Sequence, residues 1–257
     1  MHGIGTTHAD FAALRPGLDA DYDVLAPDLP GHGGSAPLSV RPTVAAVADA
    51  VEADLDTLGL GRVHVLGSSF GARLALELAI RGRAQSVVAI APSGLGLPPE
   101  RVYQGAALGT ARVLMQTIRP FIDVAARFPA GRALLLANMR STPWLSGEDE
   151  ARALRQGFAD SPDFWQQLWW TTLADVPASL EKIDCPVVLA QGTVDVMSSI
   201  QTPRYLAFIP QSRFQPLMGA GHAPQSDAPR TILRLVAEAT AAARSLEHAP
   251  ALAAPAQ

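Results

Sequence analysis

The chain is poor in features that mark several classes of protein. It has a single cysteine, Cys185, so an internal disulfide is excluded and a reducing compartment, by default the cytoplasm, is expected. No stretch approaches the ~18 apolar residues of a membrane helix, and the start lacks the features of a signal peptide. The net charge of −4 comes without a basic cluster, which argues against nucleic acid and anionic membranes as partners.

What the chain does contain is enough apolar material for a large core. Its 257 residues are 48% hydrophobic and 17% charged, which fits one large domain or one domain with an insertion. Short apolar runs alternate with helical patterns at both ends of the chain. This alternation predicts an α/β fold with a mostly parallel sheet and helices on both faces. The expected strands are 22–27, 63–66, 86–91, 187–190 and, at a sheet edge, 213–217.

The middle of the chain has a different residue pattern. From residue 94 to 180 there are no strand patterns, and helix formers, aromatics and prolines predominate. We therefore predict a core of residues 1–93 and 181–246 with a helical insertion, 94–180. The Ala- and Pro-rich tail, 247–257, is expected to be disordered.

One stretch organises the rest. A short apolar run leads into Gly67-Ser68-Ser69-Phe70-Gly71, and a helix-forming run follows. In a strand–turn–helix context the G-x-S-x-G pattern places the serine on a strained turn, with its hydroxyl facing a cleft. The glycines are needed because strand and helix nearly touch there. The alternative interpretation is an ordinary glycine-rich bend.

A serine hydroxyl needs a base, and the base needs an orienting acid. His222 is the favoured base because it follows the last predicted strand in a Gly-x-Gly-His turn. Asp195 is the favoured acid because it lies in the loop after strand 187–190. Its rivals are Asp175, Asp184 and Asp227, and turn-stabilising roles are expected for His2 and His32.

Five motifs in order resemble those of the α/β-hydrolase-fold superfamily. They are His2-Gly3-Ile4-Gly5, the loop from Asp28 to Ser35, the Ser69 pentapeptide, Gly192-x-x-Asp195 and Gly219-x-Gly-His222. The order nucleophile, acid, base is that of this superfamily.

The resemblance implies further roles. The backbone N–H groups of Ile4 and Phe70 would form an oxyanion hole, and segment 94–180 would be a lid. The lid tryptophans Trp144, Trp165 and Trp169 would line an apolar substrate site, with ordinary packing as the alternative.

The implied function is a serine hydrolase that cleaves an ester or related acyl bond of a small to medium apolar substrate. No cofactor, metal, nucleic-acid or membrane partner is implied, and the oligomeric state is left open. The alternatives are carbon–carbon or thioester hydrolysis, cofactor-free perhydrolysis, acyl transfer, and a non-catalytic binding protein of the same fold.

The chain also departs from the family pattern at its start. Relatives carry a strand directly before the His-Gly loop, whereas this sequence begins at Met1-His2. We therefore expect it to be a shortened form of a longer protein.

Overall fold

The computed structural model describes residues 1–198 and 200–248, which form one sheet and its covering helices. The strands β1–β4 are Val63–Ser68, Ala84–Ile90, Val187–Gly192 and Ser212–Leu217. The helices α1–α10 are Arg15–Asp21, Val44–Thr57, Phe70–Ile80, Pro98–Thr117, Arg119–Ala126, Pro129–Leu135, Glu148–Leu154, Phe164–Leu168, Gln201–Arg204 and Pro229–Glu247. Short 3₁₀ segments are His8–Phe11, Pro143–Leu145, Leu180–Lys182 and Tyr205–Ala207, and π-helical segments are Arg155–Ala159 and Trp169–Ala174.

All four strands are parallel, in the order β1-β2-β3-β4. The predicted fold class is therefore confirmed, and β4 lies at the sheet edge with Pro216, as expected of a strand containing proline. The disordered tail is predicted to begin at residue 247. Glu247 is instead the last residue of α10, and residues 249–257 lie outside the described residues.

Both faces of the sheet are covered, because alternate side chains of a strand point to opposite sides. Val87 of β2 packs in the buried cluster that includes α2 and α3. Its neighbour Val88 packs in the second cluster, with α1 and α10. The near-continuous apolar runs of β2 and β3 are explained by this double burial.

Segment 94–180 contains α4–α8 and, within the described residues, no strand. Its buried side chains, such as Ile122 and Phe158, belong to the same cluster as Leu74 of α3. The segment therefore shares a core with the sheet and its helices.

The strand predicted at 22–27 is wrong. In the described chain this stretch joins no ladder, and exposure alternates along it, with Leu25 54% exposed. The pattern that suggested a buried strand reflects one-sided packing, in which Tyr22 and Val24 lie against the cluster of α1 and α10. Strand structure requires a hydrogen-bonding neighbour, and no described strand pairs with this stretch.

The first residues lie beside β1. The Met1 ammonium donates to the Leu66 carbonyl at 2.6 Å, and the Ser68 N–H donates to the Met1 carbonyl at 3.1 Å. Burial lowers the pKa of this ammonium to about 5. These two bonds hold the His2–Gly5 loop next to the turn that carries Ser69.

Candidate active site

Ser69 occupies the turn between β1 and α3. Its backbone has φ 54° and ψ −114°, a conformation that is unfavourable for a residue with a Cβ. The turn is held on the sheet side, where the Ser69 N–H donates to the Ile90 carbonyl at 2.8 Å. The strained serine that the G-x-S-x-G pattern predicts is therefore present.

The flanking glycines are required by close backbone approaches. A Cβ on Gly67 would lie 2.2 Å from the carbonyl oxygen of Gly71. A Cβ on Gly71 would lie 2.2 Å from the carbonyl oxygen of Met1. Strand, helix and N-terminal loop thus meet at Ser69 with no room for a side chain at either position.

His222 and Asp195 are brought together by the loops after β4 and β3. The Nδ1 atom of His222 lies 3.1 Å from Oδ2 of Asp195. The other carboxylate oxygen, Oδ1, accepts from the N–H groups of Met197 at 2.7 Å and Ser198 at 3.0 Å. The Asp195 side chain is fully buried, so its orientation is fixed.

Asp195 and His222 each stabilise the charged form of the other. Burial alone would lower the pKa of His222, but the Asp195 carboxylate outweighs it and raises that pKa above the ordinary value. Burial would likewise raise the pKa of Asp195, but His222 and the two N–H donors hold it below its usual value. Asp195 therefore stays ionised and favours a proton on Nδ1, which leaves Nε2 as the free nitrogen.

A third side chain joins the pair. The Ser198 hydroxyl lies 2.9 Å from Nδ1 of His222, so Nδ1 is shared between Asp195 and Ser198. Sequence reasoning missed this residue, because a serine three positions after an acid has no distinctive pattern of its own.

The rival acids have other partners. Asp227 accepts from the N–H groups of Gly221, Ser141 and Thr142, and so ties the His222 loop to the segment after α6. Asp175 lies near Arg73, and the exposed Asp184 pairs with Arg62.

Two histidines of the N-terminal loops are structural, as expected. Nε2 of His2 accepts the Leu29 N–H at 2.9 Å, and Nε2 of His32 accepts the Gly5 N–H at 3.2 Å. Burial lowers both pKa values, that of His32 to about 4, so both rings are neutral acceptors. Their two hydrogen bonds connect the His2–Gly5 loop to the loop that follows Asp28.

Two backbone donors near Ser69 are unused. Neither the N–H of Ile4 nor that of Phe70 donates a hydrogen bond to any described residue. Phe70 is the first residue of α3, where free N–H groups and the helix dipole favour negative charge. Ile4 and Phe70 border the same small hollow as Ser69 and His222.

A cavity of about 380 Å³ opens onto Ser69 and His222. Its walls come from α4, α6, the first ten residues and the loops at the carboxyl ends of the strands, and they are mostly aliphatic. Within the described chain, no hydrogen bond joins Ser69 to His222, although both side chains face this cavity. Such bonds are often long in a ligand-free site and tighten with substrate.

The expected tryptophan lining is wrong. Trp144, Trp165 and Trp169 are about half exposed, and none is among the described residues that line the cavity. Trp165 instead packs edge-on against Phe164 and over Gly109 of α4. The lining that replaces them includes Leu108, Leu114, Met115, Leu135, Leu154 and Phe158.

The single cysteine is not a reactive thiol in this fold. Cys185 is buried, and burial raises the pKa of its thiol to about 11. No group of three His, Cys, Asp or Glu side chains in residues 1–198 and 200–248 could hold a metal ion. In the same residues, no helix combines the length and apolar character needed to cross a bilayer.

Enzymes with a parallel α/β sheet carry their functional side chains at the carboxyl ends of the strands, which is where Ser69, the His222–Asp195 pair and the cavity lie. The chain belongs to the alpha/beta hydrolase family, which it matches over residues 1–235.

Similar proteins agree with this assignment. Over 204 residues the chain is 30% identical to the epoxide hydrolase EphH of Mycobacterium tuberculosis, covering 75% of this chain and 92% of the relative. Over 228 residues it is 31% identical to a pimeloyl-[acyl-carrier protein] methyl ester esterase of Neisseria meningitidis, with 87% and 85% covered. A thermophilic esterase from Thermogutta terrifontis shares the fold with a TM-score of 0.72 at 20% identity, with 94% and 88% covered. The family and these relatives are hydrolases, which goes against the non-catalytic binding protein.

Proposed function

We propose that this protein is a serine hydrolase that cleaves an ester or a related acyl bond of a small to medium apolar substrate. The observation that carries the proposal is the pairing of His222 with buried Asp195, in a position where His222 lines the same cavity as the strained Ser69. These are the parts that activate a hydroxyl for attack on a carbonyl carbon.

In the proposed mechanism Ser69 Oγ attacks the substrate carbonyl while Nε2 of His222 takes the serine proton. Asp195 holds the Nδ1 proton and stabilises the imidazolium that forms. The N–H groups of Ile4 and Phe70 donate to the oxyanion, for which their lack of other partners leaves them available. His222 then protonates the leaving group, and water releases the acyl group by the reverse sequence of steps.

The cavity supports the substrate class. Its volume lies at the lower end of the range for small-molecule sites, and its aliphatic walls suit a hydrocarbon acyl or alcohol group. We assign segment 94–180 the role of lid, because α4 and α6 supply much of the wall of the cavity that Ser69 also lines. A reducing compartment, by default the cytoplasm, remains our expectation.

The relatives suggest different reactions, and the chemistry of serine separates them. Opening of an epoxide by Ser69 would form an ether, which has no carbonyl for water to attack, so the enzyme would not turn over. Attack on an ester forms an acyl-enzyme that water can hydrolyse. The nucleophile therefore favours the chemistry named for the methyl ester esterase over that named for the epoxide hydrolase.

A panel of p-nitrophenyl esters of increasing acyl length tests the proposal on wild type and on Ser69→Ala. We expect hydrolysis of the shorter and medium esters by wild type and loss of nearly all of it in Ser69→Ala. Carbon–carbon and thioester hydrolysis, perhydrolysis and acyl transfer use the same three groups, so substrates for each belong in the panel. Equal turnover by both proteins would contradict the proposal.

A further inference from the structure

One acid lies in the wall of the cavity. Asp10 belongs to the 3₁₀ segment His8–Phe11, is only 4% exposed, and lines the cavity together with Ser69 and His222. It is the only acid among the described lining residues, and no lysine or arginine is among them. Any substrate group that reaches this wall meets a buried carboxyl group in a cavity whose lining is mostly apolar.

The charge of Asp10 is incompletely balanced. Behind it lies Arg140, whose side chain is fully buried and donates to Asp10 at 3.1 Å. The same guanidinium also pairs closely with Glu150 and donates to Gln225 at 2.9 Å. One buried cation thus serves two buried carboxyl groups. Burial raises the pKa of Asp10 and Arg140 opposes this rise, so the three groups carry a net charge of −1 only where the pH lies above that raised pKa.

A further carboxylate would find no lysine or arginine partner among the described lining residues. Arg140 does not line the cavity, and its two terminal nitrogens donate to Asp10, Glu150 and Gln225. Like charges repel strongly where water is scarce, and an unpaired buried charge is costly. An uncharged hydrocarbon tail meets neither penalty, and an ammonium group would be attracted.

We propose that Asp10 determines the charge class of the substrate: the cavity accepts esters with uncharged tails and rejects those whose tail carries a carboxylate. This inference rests on the proposed hydrolase function and concerns the part of the substrate that enters the cavity. Asp10 is assigned a role in specificity; because its charge also contributes to the raised pKa of His222, the test compares esters within each protein and not absolute rates between proteins.

The test uses matched esters of increasing length whose far end is a methyl, a carboxylate or an ammonium group. The assay is run at about pH 8, where free carboxylic acids are ionised and alkyl ammonium groups are charged. For wild type we expect kcat/KM for the carboxylate ester to be roughly 10- to 100-fold below that for the ammonium ester. In Asp10→Asn, which keeps the size and removes the charge, this ratio should shrink by about tenfold or more.

Two results would overturn the inference. Equal rejection of the carboxylate and ammonium tails by wild type would show that the apolar walls exclude charge of either sign. An unchanged ratio in a folded Asp10→Asn would show that another group discriminates. The wild-type comparison stands by itself if the variant does not fold.

Binding separates this inference from the proposed function. The matched amides, titrated calorimetrically into Ser69→Ala, should show the same order of affinity without any turnover. If no ester is hydrolysed, the hydrolase proposal fails, and this order of affinity still decides the role of Asp10.

Discussion

Replacement of Asp195 by asparagine gives the sharpest prediction about the His–Asp pair. Oδ1 of Asp195 accepts two backbone N–H groups, from Met197 and Ser198, whereas Oδ2 faces Nδ1 of His222. An amide NH₂ placed at Oδ1 would oppose two close backbone donors, whereas at Oδ2 it would oppose only the longer contact from Gln191 Nε2, at 3.4 Å, so it will take the Oδ2 position. It then donates to Nδ1 of His222 and moves the imidazole proton to Nε2.

The wrong tautomer explains the size of the expected loss. With its proton on Nε2, His222 cannot accept the proton of Ser69, although the fold is unchanged. A triad forced into this tautomer loses about 10⁴-fold in kcat, and we expect a loss of roughly 10³- to 10⁴-fold here. That corresponds to about 4 to 5.5 kcal/mol of transition-state stabilisation.

The assay is kcat/KM on the best p-nitrophenyl ester, with circular dichroism as a check of folding. Asp184→Asn is the matched control, since Asp184 is exposed and pairs only with exposed Arg62 in the described chain, and its activity should equal that of wild type. If Asp195→Asn keeps more than about a tenth of the activity while Ser69→Ala has none, the assignment of the acid is wrong.

Two further variants test the surroundings of the site. Ser198→Ala removes one acceptor from Nδ1 of His222; because this destabilises the imidazolium, the acid limb of the kcat/KM profile should move to lower pH. The plateau value of kcat/KM should fall by about 2- to 10-fold. If the acid limb of the profile does not move, Ser198 has only a structural role. Gly71→Ala forces a Cβ against the Met1 carbonyl and should cost about 2 kcal/mol or more in urea unfolding. Gly61→Ala, which meets open space, should stay within about 0.5 kcal/mol of wild type, and equal effects of the two would contradict this packing argument.

Much of the fold was predictable because its patterns are local. The alternation of apolar strands and helical runs predicted the parallel sheet. The failure at residues 22–27 is equally physical. A half-buried extended segment has the same short apolar pattern whether or not a neighbour pairs with it.

The candidate site was predictable where motif and loop position coincide. Ser69, Asp195 and His222 each follow a strand, and parallel strands bring their carboxyl ends to one edge. The tryptophans were misjudged because composition does not tell which face of a helix meets a cavity. Asp10 and Arg140 are 130 residues apart, and no local pattern announces their contact.

The nucleophile itself is the central claim, and covalent labelling tests it most directly. Wild type and Ser69→Ala are treated with a fluorophosphonate, digested, and analysed by mass spectrometry. We predict one modified residue, Ser69, in wild type and no adduct in the variant. An adduct on another residue, or ester hydrolysis by wild type that survives complete modification of Ser69, would contradict the account.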